Sequence, residues 1–330
     1  MTILTNRPSE FDLIATYFAP LSASEPGAFQ LSDDAAIVTP PPGQSLVVTT
    51  DALVEGVHFL SSDAPEDIAA KLLRVSLSDL ASMGARPASY SLAIAVPAGI
   101  TSEWFKAFSQ NLAEDQQEFA ITLIGGDTVS TTGPLTLSLN AMGFVETGNG
   151  LRRNGAQIGD DIWVSGTIGD GALGLLVAKA ELTDLKSSQS DYLLSRYRRP
   201  EPRLKLGLEL LDRAHAAIDI SDGLIADLGH ICETSRVGAE INIADLPLSD
   251  AAAAALSREP DLIDLVLGGG DDYELLFTAP SSFEPDVPSL KKRTETSLTK
   301  IGSITDTPSI RIFDQNGGEY SPVKKGFTHF

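Results

Sequence analysis

The sequence predicts an α/β (α+β) protein built as two domains. Three observations lead there. Glycine and proline punctuation divides the chain into alternating short apolar runs and amphipathic stretches. Its 330 residues exceed what one hydrophobic core ordinarily fills, since single cores stop growing near ~250–300 residues. A polar, glycine-rich stretch at 145–155 (VETGNGLRRNG) follows a strong strand pattern, which places the division at residues 1–147 and 148–330.

Residues 46–50, 121–124, 135–144, 162–165, 216–220, 239–243 and 273–278 carry short apolar or alternating patterns and read as strands. Amphipathic stretches at 66–83, 102–118, 171–180, 203–214, 223–235 and 249–257 read as helices. The helix over 66–83 has Pro65 at its entry, Gly84 after its last turn and Pro87 beyond. Only the first few residues and the segment 281–297 lack a structural pattern and read as poorly ordered.

Composition narrows the function. With 45 acidic against 24 basic residues the net charge is −21, opposite to the basic footprint that nucleic-acid binding needs. Such a balance serves solubility, and it would repel an anionic substrate unless divalent metal bridged protein carboxylates to phosphates. A single cysteine, Cys232, precludes an intrachain disulfide and argues against a thiolate zinc site. The start MTILTNRPSEFDLI lacks a signal-peptide pattern, and no apolar run approaches the ~20 residues of a membrane span. A cytoplasmic, membrane-free protein is expected.

The informative feature is where the aspartates fall. Asp51 ends LVVTT, Asp127 follows ITLIGG, Asp219 and Asp222 bracket the end of AAIDI, and Asp271 and Asp272 follow three glycines. Asp33 and Asp34 precede AAIV. Carboxylates at strand termini occupy the places where open α/β sheets bind ligands. Any one of them also suits a turn or a helix cap. Asp79 is different: on a helix over 66–83 it falls between Val75 and Leu72, inside the apolar stripe shared with Ile68 and Met83. A carboxylate on a buried face needs either a cationic partner such as Arg74 or a metal ion. Many oxygen donors and almost no soft ones suit Mg²⁺. His58, seven residues after Asp51, lies near the same place, whereas His215 and His230 read as structural. Walker, protein-kinase and nucleophile-elbow motifs are absent. The SGTIGDGALGL stretch (165–175) has the strand, glycine turn and helix start that can receive phosphate at amide groups.

Taken in order, LSDDAAIV (31–38), TTDALVEGVHF (49–59), KLLRVSLSDLASMGARP (71–87), LIGGDTV (123–129), GDDIWVSGTIGDGALGL (159–175), RRPEPR (198–203), AIDISDGLIADLGHI (217–231), GGGDDYELLF (268–277) and KGFTHF (325–330) resemble the thiamine-monophosphate kinase family. That family belongs to the superfamily of aminoimidazole ribonucleotide synthetase and selenophosphate synthetase. The resemblance spans nearly the whole chain. It implies a two-domain aminoimidazole ribonucleotide synthetase-like fold, whose N-terminal domain pairs in a homodimer and is followed by a larger C-terminal α/β domain. ATP and several Mg²⁺ ions are implied in the cleft between them.

By motif, Asp34, Thr49, Thr50, Asp51, Asp79, Asp127, Asp219 and Asp222 fall on the family's metal positions. Gly126, Asp127, Arg153 and Ser221 fall on its ATP positions, and His58, Asp271 and Phe327 on those meeting thiamine monophosphate. The chain departs from the pattern at Asp271, where the family often has Glu, and at Lys324, where an aromatic residue is common. The implied activity is ATP-dependent phosphorylation of thiamine monophosphate to thiamine diphosphate, with no residue in a covalent or acid–base role. The alternatives are a sibling ATP-using enzyme, though the sole Cys232 lies within a predicted helix rather than near the start, and a non-catalytic Mg²⁺–nucleotide-binding protein.

Overall fold

The structure is a computed structural model that describes residues 9–323, 326 and 327. The chain divides into two compact units, one of Met1–Leu80 and Arg86–Gly148, the other of Ala81–Ala85 and Asn149–Phe330.

In the first unit a short helix α1 (Glu10–Leu13) precedes β1 (Gln44–Val54), α2 (Pro65–Ser82), β2 (Arg86–Val96), α3 (Ser102–Phe119), β3 (Thr122–Ser130) and β4 (Thr136–Glu146). The strands form one sheet in the order β1-β4-β2-β3, with β2 and β3 parallel and the other pairs antiparallel. Ile68, Leu72, Leu73, Val75 and Leu80 of α2 are buried, as its periodicity requires. Thr101 caps α3 by accepting from the Trp104 amide at 3.3 Å. Strand β2 was not foreseen: Tyr90, Leu92, Ile94 and Val96 are buried in alternation with Ser91, Ala93 and Ala95, small residues that carry little strand signal, and the strand lies between two neighbours.

The second unit runs β5 (Asp161–Ser165), α4 (Asp170–Ala178), α5 (Ser187–Arg198), α6 (Leu204–Leu210), β6 (Ala216–Asp219), α7 (Leu224–Ser235), β7 (Gly238–Asn242), α8 (Asp250–Arg258), α9 (Ile263–Gly268), β8 (Leu275–Ala279), α10 (Val287–Thr294), β9 (Leu298–Thr305), β10 (Ile310–Phe313) and β11 (Glu319–Tyr320). Its sheet has the order β11-β10-β7-β9-β5-β8-β6. Every residue of β5, β6 and β8 is buried, so those strands are covered on both faces. One core gathers Ile162, Val164, Ile218, Leu224, Leu228 and Leu276; a second gathers Trp163, Phe277, Phe283 and Leu290.

Two expectations are corrected here. The stretch expected to be poorly ordered forms a turn of helix at Ser281–Asp286 and then α10, anchored by buried Phe283 and Leu290. The strand expected from 273 begins at Leu275, because Asp271 and Tyr273 have left-handed backbones with φ of 63° and 51°.

Candidate active site

Strand alternation and helical periodicity together build the acidic group of the first unit. Thr49 and Asp51, two residues apart, share one face of β1. Ser76 and Asp79, three apart, share one face of α2. The two faces meet: the Thr49 hydroxyl donates to Asp79 Oδ2, and Ser76 Oγ donates to Asp51 Oδ2 at 2.6 Å. Burial pushes the Asp51 carboxyl above its usual range, while the Ser76 bond and the neighbouring His58 pull it back. His58 is oriented by the Val54 amide, which donates to Nδ1 at 3.0 Å and leaves the proton of the neutral ring on Nε2. Arg74, the partner weighed for Asp79, forms an ion pair with buried Asp115 at 2.8 Å.

Thr50 is separated from this group. It occupies the opposite face of β1 and donates to Asn140 Oδ1 at 2.6 Å, so its side chain does not join Thr49 and Asp51. Asp34, Gly126 and Asp127 line another cavity of about 120 Å³ together with Asp33, Gly125 and Thr128. Gly126 is needed there because a Cβ would collide with the Leu92 carbonyl. Among the described residues no three His, Cys, Asp or Glu side chains converge closely enough to hold a metal ion by themselves. The donor set still fits Mg²⁺: it consists of carboxylate and hydroxyl oxygens, and burial disfavours the bare charge of Asp51. Mg²⁺ commonly takes one or two carboxylates and completes its shell with water and phosphate.

In the second unit, Asp219 closes β6 and is only 3% exposed. The turn Ser221–Gly223 then enters α7, with Gly223 at φ 118°. Asp227, one turn into that helix, folds back so that Oδ2 accepts the amides of Ser221, Asp222 and Gly223 at 3.1, 3.1 and 3.2 Å. Burial and the neighbouring Asp222 charge push Asp227 up to about 7 against those three bonds. Asp271 faces the same turn: its amide donates to the Ser221 carbonyl at 2.9 Å, and the Tyr273 hydroxyl donates to Asp271 Oδ1 at 3.1 Å. The Phe327 amide donates to the Asp222 carbonyl at 2.9 Å, which places Phe327 beside this turn. Arg153 is exposed, and its carbonyl accepts from Ser235 Oγ at 3.3 Å. Lys324 lies outside the described residues.

The glycine turn at 165–175 does not offer the phosphate seat its sequence suggested. Asp272, 2% exposed, takes the Gly169 amide on Oδ2 at 2.8 Å and the Gly171 amide on Oδ1 at 3.1 Å. Burial pushes Asp272 up to about 8. Next to it, fully buried Glu274 is bound by Arg196, Arg203 and the Ser165 hydroxyl. Sequence reasoning missed Ser76, Asp227 and Glu274 and gave Asp272 no role of its own. Only Ser76 had a usable signal, one turn before Asp79 on the same helix.

Two family models account for the architecture. AIR synthase related protein, N-terminal domain, matches residues 32–145, and AIR synthase related protein, C-terminal domain, matches residues 157–315. The class is thereby defined as the two-domain AIR synthase related proteins. The thiamine-monophosphate kinase of Haemophilus influenzae is 40% identical over 337 residues, covering 97% of this chain and 98% of that protein. The crystal structure of thiamine-monophosphate kinase from Stenotrophomonas maltophilia shares 44% identity at a TM-score of 0.80, over 88% of this chain and 91% of that one. AaThiL complexed with AMPPCP and TMP shares 30% identity at a TM-score of 0.76, over 90% of this chain and 91% of that one. The chain belongs to the thiamine-monophosphate kinase family, and it is an enzyme, a kinase.

Proposed function

We propose that this chain transfers the γ-phosphoryl group of ATP to the phosphate of thiamine monophosphate, giving thiamine diphosphate and ADP, as a cytoplasmic, Mg²⁺-dependent enzyme. The acceptor is a phosphate monoester with a second pKa near ~6, so it is already largely dianionic at neutral pH. It needs no general base. The chain's task is to bring two anions together, align them in line and hold them.

Asp34, Thr49, Asp51, Asp79 and Asp127 of the first unit, with Asp219 and Asp222 of the second, are the residues that would hold Mg²⁺; the Thr50 side chain drops out of that set. When bound, the metal supplies neutralisation of phosphate charge in a protein whose own field is acidic. Gly126, Asp127, Arg153 and Ser221 serve ATP. His58, Asp271 and the Phe327 ring serve the thiamine monophosphate. The observation that carries this reading is the pairing of Asp51 and Asp79 with hydroxyl donors on adjoining element faces, in a setting where burial disfavours bare negative charge.

A second copy of the chain is the proposed partner, meeting the open face of the four-stranded sheet. Leu46 and Val48 are 39% and 57% exposed there, opposite Phe144 and Met142 on β4. The test of the activity is direct. The purified chain, given ATP, Mg²⁺ and thiamine monophosphate, forms thiamine diphosphate and ADP in equal amounts by chromatography. ADP without thiamine diphosphate, or turnover only with an aminoimidazole precursor, would reject the reading.

A further inference from the structure

We propose that Asp272 and Asp227 are positioning residues that bind, with the chain's own carboxyl groups, backbone amides leading into α4 and α7, and thereby fix Asp271 and the Ser221–Asp222 turn. The inference deepens the proposed kinase reading and rests on its assignment of those loops to thiamine monophosphate and to ATP.

An amide-rich helix N-terminus is where phosphate ordinarily docks. Helix α4 starts within Gly169–Gly171, and the turn Ser221–Gly223 leads into α7, yet amides of both stretches are already taken. Asp272 spans the first with both oxygens, one to Gly169 and one to Gly171. Asp227 closes the second with a single oxygen shared by three consecutive amides. Both carboxyls are 2% exposed, out of reach of a ligand in bulk water.

Occupying the amides has a mechanical result. Gly171 packs against Asp271 so closely that a Cβ would collide with the Asp271 carbonyl. Gly270, at φ 72°, packs likewise on the Ser221 carbonyl. Asp271 itself holds a left-handed backbone and donates its amide to Ser221. A non-glycine residue in that region needs its surroundings to hold it. Asp272 supplies the hold from behind and Asp227 from the Ser221 side, so the two loops are locked as one body before substrate arrives. Phosphate must then be met by metal or by a side chain rather than by these amides.

The difference in oxygen usage gives a test that a merely structural role would not satisfy. Asp227→Asn keeps the one accepting oxygen and should leave both KM values within about twofold of the parent, whereas Asp227→Ala should raise the ATP KM about tenfold. Asp272→Asn turns an NH2 group toward an amide N–H and should raise the thiamine monophosphate KM about tenfold, with the ATP KM within about twofold. Parent enzyme that makes no thiamine diphosphate sinks the kinase reading itself. An active parent whose variants lose kcat alike with both KM values unchanged, or in which Asp272→Asn behaves as parent, overturns the positioning role. Should Asp272→Asn not fold, the Asp227 pair decides: rescue by Asn but not by Ala supports the inference, and equal behaviour of the two overturns it.

Discussion

The Thr49 hydroxyl on β1 donates to the Asp79 carboxylate on α2, one rung along from the Ser76–Asp51 bond that runs between the same two elements in the opposite sense. In one pair the strand supplies the hydroxyl and the helix the acid; in the other the roles reverse. Two acids are therefore held on facing surfaces, each taking a neutral hydroxyl donor on one oxygen.

Asp51→Asn tests the acidic group most simply. The Ser76 hydroxyl can still donate to the amide oxygen, so the fold should persist with an unchanged circular dichroism spectrum. Turnover should fall by more than about a hundredfold, beyond the ~10–100-fold typical of losing a group that only supports a metal ligand. Near-normal turnover of folded Asp51→Asn at modest Mg²⁺ would remove Asp51 from the metal set.

Thr49→Val keeps the shape of the side chain and deletes its donor. Asp79 then loses one orienting bond while β1 keeps a β-branched residue. The Mg²⁺ concentration for half-maximal rate should rise by about tenfold, with the rate at saturating Mg²⁺ recovering most of its parental value. A rate loss that excess Mg²⁺ cannot restore would show that Thr49 acts elsewhere in the reaction.

How far the sequence carried these residues depended on the range of the physics involved. Asp79 stood out because a 100° step per residue put an acid among Leu72, Val75 and Ile68, and the helix indeed buries those neighbours. What satisfies it was not legible, since Thr49 lies 30 residues away and Arg74 finds Asp115 instead, 41 residues along. The strand ending at Asp51 was foreseen as shorter than β1, which continues to Val54 through ladder bonds to β4. Helix α5 was missed because SSQSDYLLSRYR buries only Leu193, Arg196 and Tyr197. The Asp272 clasp was beyond reach for the same reason as Asp79's partner: it joins residues 103 and 101 apart, a distance no local pattern encodes.

Val48→Asp tests the pairing of chains. Val48 points away from the Thr49 and Asp51 face, so the change leaves the acidic group intact. Burying an unpaired carboxylate against an apolar partner should weaken self-association by more than about a hundredfold, or ~3 kcal/mol. Sedimentation should show a dimer for the parent and a monomer for the variant. A parent that sediments as a monomer at micromolar concentration would dispose of the homodimer.

The Asp272 carboxyl predicts how stability changes with pH. Burial raises it from an ordinary 3.8 to about 8, opposed by the Gly169 and Gly171 amide bonds, raised further by Asp170 and lowered by Arg196. Between those two values the folded chain holds a proton there that the unfolded chain has released. The associated stabilisation is complete below the unfolded value and is lost as pH climbs through about 8, with a slope of at most about 1.4 kcal/mol per pH unit. Thermal melts of the chain without ligands, from about pH 5 to pH 9, should therefore show a Tm that declines with rising pH. Asp272→Asn cannot titrate, so its Tm should start lower at the acid end and decline less steeply. If the variant's profile ran parallel to the parent's across that window, the pH-dependent loss would have to come from a group other than Asp272.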